Sequence, residues 1–233
     1  MKTLKRWLKW GWLVIWVVMP LVAPQSMRAQ GGSPPDPPEA RPDDIKFEHL
    51  TIDDGLPNNF TSFVLQDDRG FIWVGTKEGL SKYDGSEFTV YTHDPNDPNS
   101  LSRNFVQWID QDSRATLWVS SWGGGLNQYD PVNDNFIHYH HNERNPDSLA
   151  HDDTWAVFED SQGRYWVSTI GGGLDQFDPG TETFTHFGSD NDNPNSLVSD
   201  WVVDIDVDST GVVWVASAAG VSAYNFGWAP PMG

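Results

Sequence analysis

Residues 160–178 read DSQGRYWVSTIGGGLDQFD and contain an Asp, a Gly, a Trp within an apolar run, a glycine turn and an aromatic-Asp pair, in that order. The same order occurs in four units along the chain, with Ala115 in place of the Gly in the second and Asn225 in place of the last Asp in the fourth. Its register is set by Trp73, Trp118, Trp166 and Trp214, which are 45, 48 and 48 residues apart. A period of roughly 40–50 residues is typical of propeller blades and of solenoids. The chain is therefore a repeat protein whose fold follows from one unit.

Each unit reads as four short strands separated by turn residues. In the second unit the predicted strands cover residues 104–110, 116–121, 125–130 and 135–141. These runs are rich in Val, Ile, Phe, Trp and Tyr, and several are apolar on both faces, which suits a sheet packed between two neighbours. No segment of the body has a helical period. The sequence predicts an all-β propeller of four-stranded antiparallel blades.

About four blades are present, at residues 58–92, 103–141, 152–188 and 199–225. The last of them holds only three predicted strands. We expect an N-terminal strand at residues 45–51 to supply the missing strand and to close the ring. Four blades is the lower limit for this architecture.

The repeated residues have structural explanations. An Asp lies six residues before each Trp and, in three units, a Gly lies three residues before it; the two bracket a tight turn, because Asp bonds nearby backbone and Gly accepts positive φ. Each Trp is expected to fill the space between blades. This structural set comprises Trp73, Trp118, Trp166, Trp214, Asp67, Asp112, Asp160, Asp208, Gly70, Gly163 and Gly211. Ala115 replaces the Gly in the second unit, which predicts a more strained or differently shaped turn there.

The N-terminus predicts export. Residues 1–29 combine four early basic residues with a short apolar run, WGWLVIWVVMPLVA, as a secretory signal peptide does. An uncleaved membrane anchor is the alternative, although 14 apolar residues fall short of the roughly 20 that span a bilayer. A proline-rich linker at residues 30–43 and an irregular tail at 226–233 flank the body, which we place at residues 44–225.

Composition excludes several functions. The chain has 33 acidic and 14 basic side chains, and five of the basic ones lie within the first 30 residues. The remaining body carries a formal charge of −24, which should repel nucleic acid and anionic lipid. With no cysteine, disulfides and thiolate chemistry are absent. We expect no cofactor and no metal, and we expect membrane attachment only through the leader or through a missing C-terminal part.

These units resemble the two-component regulator propeller repeat. The best copies are residues 67–84 (DDRGFIWVGTKEGLSKYD) and residues 160–178. The opening FEHLT at residues 47–51 and the loop DPNDPNSL at residues 94–101 fit the same pattern, as does NDNPNSL at residues 191–197. The resemblance covers roughly residues 45–225.

The resemblance implies an extracytoplasmic ligand-sensing module of a two-component receptor of the sensor histidine kinase type, periplasmic or extracellular. Relatives of this kind carry a seven-bladed ring, a membrane span and kinase or diguanylate cyclase domains, and many respond to glycans. It implies a small-molecule or glycan ligand, no enzymatic activity in this chain, and receptor dimerisation in the full-length protein. This chain lacks those later parts, so a truncated fragment of a longer receptor is expected.

A ligand is expected at the axial mouth of the propeller, because ligands prefer concave sites. The residues that precede the inner strands and the glycine turns would line it, with aromatic plates beside polar groups as a sugar ring requires. The candidates are Lys77, Arg103, Asn104, Trp122, Asp152, Asp153, Asp200 and Trp201. Ordinary turn chemistry and packing between blades is the competing interpretation of these residues.

Two other functions stay open. A secreted polysaccharide lyase or glycosidase would need a carboxylate pair or a base at the mouth, for which Asp152, Asp153 and Asp200 are the candidates. A protein-binding scaffold is the second alternative. His138 and His140 alternate onto one strand face and could bind a metal, but a solvated histidine strand is the favoured interpretation.

Overall fold

The computed structural model describes residues 46–225, and the predicted signal peptide, linker and tail lie outside them. Fifteen strands occur in this part of the chain, in four antiparallel sheets. The first sheet has β1 (Thr61–Gln66), β2 (Ile72–Thr76), β3 (Gly79–Tyr83) and β4 (Phe88–Tyr91); the second has β5 (Val106–Gln111), β6 (Leu117–Ser121), β7 (Gly125–Asp130) and β8 (Asn135–Tyr139); the third has β9 (Thr154–Glu159), β10 (Tyr165–Thr169), β11 (Gly173–Asp178) and β12 (Thr183–Phe187); the fourth has β13 (Val202–Val207), β14 (Val212–Ser217) and β15 (Gly220–Asn225).

The predicted β-propeller of four-stranded blades is confirmed. Strands follow one another in chain order within each sheet, and the ends of the predicted strands in the second sheet shift by at most two residues. The only helix in residues 46–225 is a single 3-10 turn at Ile52–Asp54. Nothing within the described range has the helical length and apolar character that crossing a bilayer demands.

The predicted strand at residues 45–51 is wrong for the residues that can be described. Residues 46–51 form no strand, and the fourth sheet holds three strands. Instead Thr51 caps the 3-10 turn, since its hydroxyl accepts from the Asp53 amide while the Asp54 carboxylate accepts from the Thr51 amide. The capping bonds of the Thr-x-x-Asp sequence therefore determine the conformation here, although the alternating residues suggested a strand.

Each sheet is stapled by an Asp and the Trp that follows it. In the third sheet Asp160 Oδ1 accepts from the backbone amides of Gln162 and Arg164, at 2.8 and 3.0 Å, and closes the turn between the first two strands. Its Oδ2 accepts from Trp166 Nε1 at 3.1 Å. The same indole bond recurs in the other sheets at 3.0, 3.1 and 2.9 Å. One buried carboxylate thus fixes both the turn and the tryptophan that packs on the next sheet.

The staple lowers the pKa of two carboxyl groups, those of Asp160 and Asp208. Burial raises the pKa of Asp160, but the bonds from Trp166 and Arg164 outweigh burial and leave it below the ordinary value. The Thr210 and Trp214 side chains lower the pKa of Asp208 to about 2. A depressed carboxyl pKa contributes stability that is present above the unfolded-state pKa and is lost as the pH falls. These two staples therefore favour the folded state at neutral pH.

Three apolar layers join the four sheets. In the first layer Trp73 and Leu80 pack with Ile109, Val119 and Tyr129 of the second sheet. The second and third layers repeat this arrangement, with a Trp and a Leu from the earlier sheet and aliphatic or aromatic residues from the later one. Burial of one Trp side chain contributes on the order of 4 kcal/mol. Packing between sheets is therefore the main source of stability.

The turn in the second sheet is strained, as its sequence predicts. Gly70, Gly163 and Gly211 have φ values of 95°, 77° and 86°, and Ala115 has φ 65° at the same position. The left-handed region costs an alanine roughly 1 kcal/mol, because its Cβ approaches the following carbonyl oxygen.

We predict that Ala115→Gly raises the free energy of unfolding by about 1 kcal/mol, since glycine adopts this conformation without strain. Urea unfolding followed by circular dichroism measures the change. Ala223→Gly is the matched control: it lies in exposed strand β15 without positive φ, and should lower stability by about 0.5–1 kcal/mol. A fall in stability for Ala115→Gly would contradict the prediction.

In the second and third sheets a polar latch ties the third strand to the loop before the inner strand of the same sheet. In the third sheet Asp175 Oδ2 accepts from the Ala150 amide at 2.8 Å, and Oδ1 accepts from His186 Nδ1 at 2.7 Å. His186 Nε2 donates to the Pro146 carbonyl at 2.9 Å. The second sheet has Asn127 in the latch, accepting from the Ser102 amide at 3.0 Å. Because both ring nitrogens of His186 face acceptors, this latch favours its cationic form.

The first sheet shows what happens when the donor is missing. Ser81 occupies the latch position, but the residue four positions before the inner strand, where Ser102 and Ala150 donate in the other two sheets, is Pro57, which has no amide hydrogen. Among the described residues the buried Ser81 hydroxyl has no hydrogen-bond partner. Its sheet therefore lacks one of the contacts that the second and third sheets share.

We predict that Asp175→Asn lowers the pKa of His186. The side-chain bond to Asp175 is the main cause that raises this pKa, whereas the amide oxygen of Asn can still accept from Ala150. An NMR titration of the histidine ring protons measures the change. His138, which lies opposite Asn127, is the internal control and should titrate as before. An unchanged His186 pKa would show that the latch carries no charge interaction.

Candidate functional site

The inner strands of the four sheets begin at one common rim. β1 contacts β5, β5 contacts β9, and β9 contacts β13. The residue before each inner strand accepts, through its carbonyl, from the backbone amide of a residue in the turn between the second and third strands. These pairs are Phe60 with Lys77 (3.3 Å), Phe105 with Trp122 (2.9 Å), Asp153 with Ile170 (2.8 Å) and Trp201 with Ala218 (3.0 Å). The four residues before the inner strands thus occupy one set of equivalent positions along the rim, and the four turn residues occupy a second set.

Exposed aromatic rings form a row along this rim. The Phe60 and Phe105 rings meet edge to face, with centroids 6.0 Å apart. Phe105 and Trp122 stack at 6.5 Å with an interplanar angle of 23°. Phe60 is 57% exposed and Trp122 is 43% exposed. Large apolar surfaces left in water in a connected patch are typical of binding sites. We name Phe60, Phe105, Trp122 and Trp201 the aromatic rim.

The rim continues over the third and fourth sheets, where Asp153 and then Trp201 occupy the position immediately before the inner strand. Trp201 is 53% exposed, and an isolated antiparallel bridge joins its backbone to Ile170. Asp153 is partly buried, and its Oδ2 lies 3.9 Å from His151 Nδ1. The backbone amide of Asp153 donates to that same imidazole nitrogen. A carboxylate in a fixed orientation therefore lies along the same rim as the aromatic rings.

Three of the predicted site residues are engaged in holding the connections between sheets. Asn104 Oδ1 accepts from the His93 amide at 2.6 Å, and Asp152 Oδ1 accepts from the His141 amide at 2.7 Å. Asp200 accepts in the same way from the backbone amide that follows β12. Each side chain thus clips the end of an outer strand to the start of the next inner strand. A ligand-binding role for these residues stays a prediction, with one oxygen already in use.

The clip at Asp152 is also an electrostatic feature. Burial raises the pKa of this carboxyl group, but the interactions with His140 and with the His141 amide outweigh burial and leave the pKa below its ordinary value. His140 Nδ1 lies 3.6 Å from Asp152 Oδ1. The carboxylate is therefore ionised at neutral pH and adds negative charge to the rim.

Two cationic side chains moderate this charge. Lys77 is exposed at the turn of the first sheet. Arg103 is exposed as well, and its Nη1 lies 3.4 Å from His93 Nε2. Both side chains are solvent-exposed, and a ligand contact of either stays a prediction.

The sequence interpretation missed Phe60 and Phe105. Both align with Asp153 and Trp201, which it had selected, because each lies immediately before an inner strand. Applying the same offset to all four units would have found them. What the sequence could not indicate is that Phe60, Phe105 and Trp122 contact one another.

The histidine strand has no metal-binding arrangement. The rings of His138 and His140 are 5.6 Å apart. His138 Nε2 donates to the Ser100 carbonyl at 2.6 Å, and burial lowers the pKa of this imidazole. No group of three or more metal-ligating side chains occurs in residues 46–225. His138 occupies the same register position as His186, opposite Asn127 where His186 lies opposite Asp175.

Comparison with known proteins shows which family two of these repeats resemble. Residues 55–78 and 148–171 match the family described as two component regulator propeller. Histidine kinase P4 of Formosa agariphila is 38% identical over 64 residues, which is 28% of this chain and 5% of that protein. The matched part of this relative is therefore a small fraction of its length.

Solved structures with the same fold include two extracellular domains from B. thetaiotaomicron. That of BT3049, described as a hybrid two component system, has a TM-score of 0.67 and 25% identity, and the match covers 77% of this chain and 26% of that one. The extracellular domain of BT4673 has a TM-score of 0.64 and 23% identity, covering 76% and 25% of the two chains. This chain spans about a quarter of these domains.

The predicted resemblance is thus confirmed at two of the four units. The staple turn, the stacked antiparallel sheets and the two matching segments agree with one another. The protein is a β-propeller in which two of the four units match the two component regulator propeller family.

Proposed function

We propose that this chain is the ligand-sensing module of an extracytoplasmic receptor of the two-component, sensor histidine kinase type. The observation that carries the proposal is the aromatic rim, where the Phe105 ring contacts the exposed rings of Phe60 and Trp122, and where Trp201 is exposed at the position equivalent to Phe60 and Phe105. The kinship with sensor domains supports it. We propose that this module is part of a longer receptor, and that other domains of that receptor carry out signal transfer and phosphorylation.

The chemistry of the aromatic rim suits a carbohydrate. Aromatic faces bind the apolar faces of sugar rings, and hydroxyl groups pair with neighbouring carboxylates and amides. Asp153 supplies an acceptor beside the rings, and Arg103 supplies donors. The formal charge of −24 on the body opposes polyanionic ligands. A neutral oligosaccharide is therefore the ligand class that we propose.

Export agrees with this function. The basic and apolar leader is a secretory pattern, and the two B. thetaiotaomicron neighbours are extracellular domains. A soluble glycan outside the cytoplasm would reach the aromatic rim directly. The propeller then acts outside the cytoplasm, on the side of the membrane where such ligands occur.

An enzymatic role is the weaker candidate. Asp152 and Asp200, two of the three candidate carboxylates, each accept from a backbone amide in a clip. Asp153 lies beside His151 and has no second free carboxylate among the described contacts. Glycoside hydrolysis needs a pair of carboxyl groups that face the scissile bond. Binding without turnover is the function that this arrangement favours.

We predict that Phe105→Ala with Trp122→Ala weakens oligosaccharide binding by roughly 10- to 100-fold, because exposed aromatic anchors typically dominate the free energy of binding. Isothermal titration calorimetry against a panel of neutral oligosaccharides measures the affinity. Ile137→Ala, which removes an exposed apolar side chain from outer strand β8, is the control and should bind as the parent does. Equal affinity of the double variant and the parent would contradict the proposed site, and a panel without any binder would contradict the proposed ligand class.

A further inference from the structure

We infer that His151 is a positioning residue for the aromatic rim: its neutral imidazole closes the turn that presents Asp153, and protonation of the ring opens that turn and pairs the ring with the Asp153 carboxylate. The inference rests on the proposed function, since it takes the rim as the ligand site. The bond between the two residues does not depend on a ligand, so it can be tested without one.

A side-chain acceptor two residues before the rim position closes the turn that leads into the inner strand in three of the four sheets. In the first, third and fourth sheets the acceptor and the rim residue whose amide it binds are Asn58 and Phe60 (2.7 Å), His151 and Asp153 (3.0 Å), and Ser199 and Trp201 (3.1 Å). Asn and Ser favour such turns because their oxygens reach nearby backbone amides. Arg103 has this position in the second sheet, and a guanidinium cannot accept. His151 therefore does the work of an Asn or a Ser.

The imidazole differs from the other two acceptors because protonation removes its acceptor. A backbone amide can only donate, so His151 Nδ1 is unprotonated here and the neutral ring carries its hydrogen on Nε2. In the imidazolium both nitrogens carry hydrogen, and Nδ1 then faces the Asp153 amide as a second donor. The Asn58 amide oxygen and the Ser199 hydroxyl remain acceptors from about pH 5 to pH 8, where histidine titrates. Of the three turns, the one in the third sheet is therefore sensitive to pH.

The Asp153 carboxylate is the nearby partner of a protonated ring. Its Oδ2 lies 3.9 Å from His151 Nδ1, which is beyond hydrogen-bond distance in the neutral state. An N–H of an imidazolium attracts a carboxylate strongly, since both charge and hydrogen bonding favour the contact. Protonation thus exchanges a bond to the Asp153 amide for a bond to its carboxylate. The carboxylate is then drawn toward His151 and is no longer available to a ligand.

Two glycine turns place this pair at the rim. A methyl group at Gly123 would lie 3.7 Å from Asp153 Oδ1, so the carboxylate reaches the turn of the second sheet directly after Trp122. A methyl group at Gly171 would lie 3.7 Å from both Cδ2 and Nε2 of His151, so the ring lies on the turn of its own sheet. The carboxylate from the third sheet and the tryptophan of the second therefore meet at one turn. A sugar stacked on Trp122 would have this carboxylate as a neighbouring acceptor.

The other charged groups around His151 are already engaged elsewhere. Asp153 is the titratable residue that contacts the imidazole. The turn on which the ring lies, residues 170–173, has no titratable side chain. Asp152 uses its carboxylate in the clip to the end of β8, and Asp200 uses its carboxylate in the clip to the end of β12. Protonation of His151 therefore acts first on Asp153.

NMR of the 15N-labelled parent protein tests the bond without a ligand. Between about pH 8 and pH 5 the Asp153 amide resonance should move together with the His151 ring resonances. Its amide hydrogen should also exchange faster with solvent once the ring is protonated, because the bond to Nδ1 is lost. The Phe60 and Trp201 amides, whose acceptors do not titrate in this range, are internal controls and should do neither.

His151→Asn completes this test, since the amide oxygen of Asn replaces Nδ1 as an acceptor that does not titrate. In this variant the Asp153 amide should keep its position and its slow exchange across the same pH range. An Asp153 amide in the parent that does not follow the His151 ring, or control amides that move with it, would overturn the inference.

Isothermal titration calorimetry with the neutral oligosaccharides then connects the turn to the rim. The parent should bind at least about tenfold more weakly at pH 5 than at pH 8, because a charged acceptor is lost. His151→Ala should bind weakly at both pH values, whereas His151→Asn should restore the tight binding and retain it at pH 5. Ser199→Ala, which removes the equivalent acceptor of the fourth sheet, is the matched control and should keep the pH dependence of the parent.

Failure of the proposed function and failure of this inference have different signatures. A panel without a binder at either pH contradicts the proposed ligand class, and the NMR titration then decides the role of His151. Equally tight binding by the parent at both pH values would overturn the inference and leave the proposed site in place. The same pH dependence in His151→Asn as in the parent would also overturn it.

Discussion

The bond between a buried aspartate and the indole of the tryptophan six residues later is the constraint on which the rest of the structure depends. The carboxylate cannot be buried without donors, and it finds them in two backbone amides of its own turn and in the Trp ring. In the first three sheets this fixes the tryptophan on the face that packs on the next sheet, which covers it. A local turn and a long-range packing contact are thus decided by one side chain in each of these three sheets.

Much of the fold could be predicted from the sequence because this constraint is local. The offsets of Asp, Gly and Trp correctly predicted the four units, their turns and the positions of the tryptophans. In the second sheet the predicted strand ends were correct to within two residues. The strand expected at residues 45–51 failed, since a Thr-x-x-Asp cap competes with alternating residues over so short a segment. Among the described residues the fourth sheet therefore holds three strands.

The site was less predictable, because it arises between units. Trp122 and Trp201 were found as exposed aromatics beside turns, and Asp153 as a polar group in line with them. The contacts of Phe60 with Phe105 and of Phe105 with Trp122 join residues of different strands and sheets, which no single repeat encodes. Conversely, Asn104, Asp152 and Asp200 looked available in the sequence, but the structure assigns their oxygens to backbone amides. A polar residue in a repeat is as useful to the scaffold as to a ligand.

Hydrogen exchange of the tryptophan indole protons, resolved by NMR, tests the central claim most directly. Trp73, Trp118 and Trp166 are bonded to a buried carboxylate and covered by the next sheet, so their indole protons should exchange only on global unfolding. Those of Trp122 and Trp201 on the aromatic rim should exchange rapidly. Equal exchange rates for the two sets would show that the staple does not hold the sheets together.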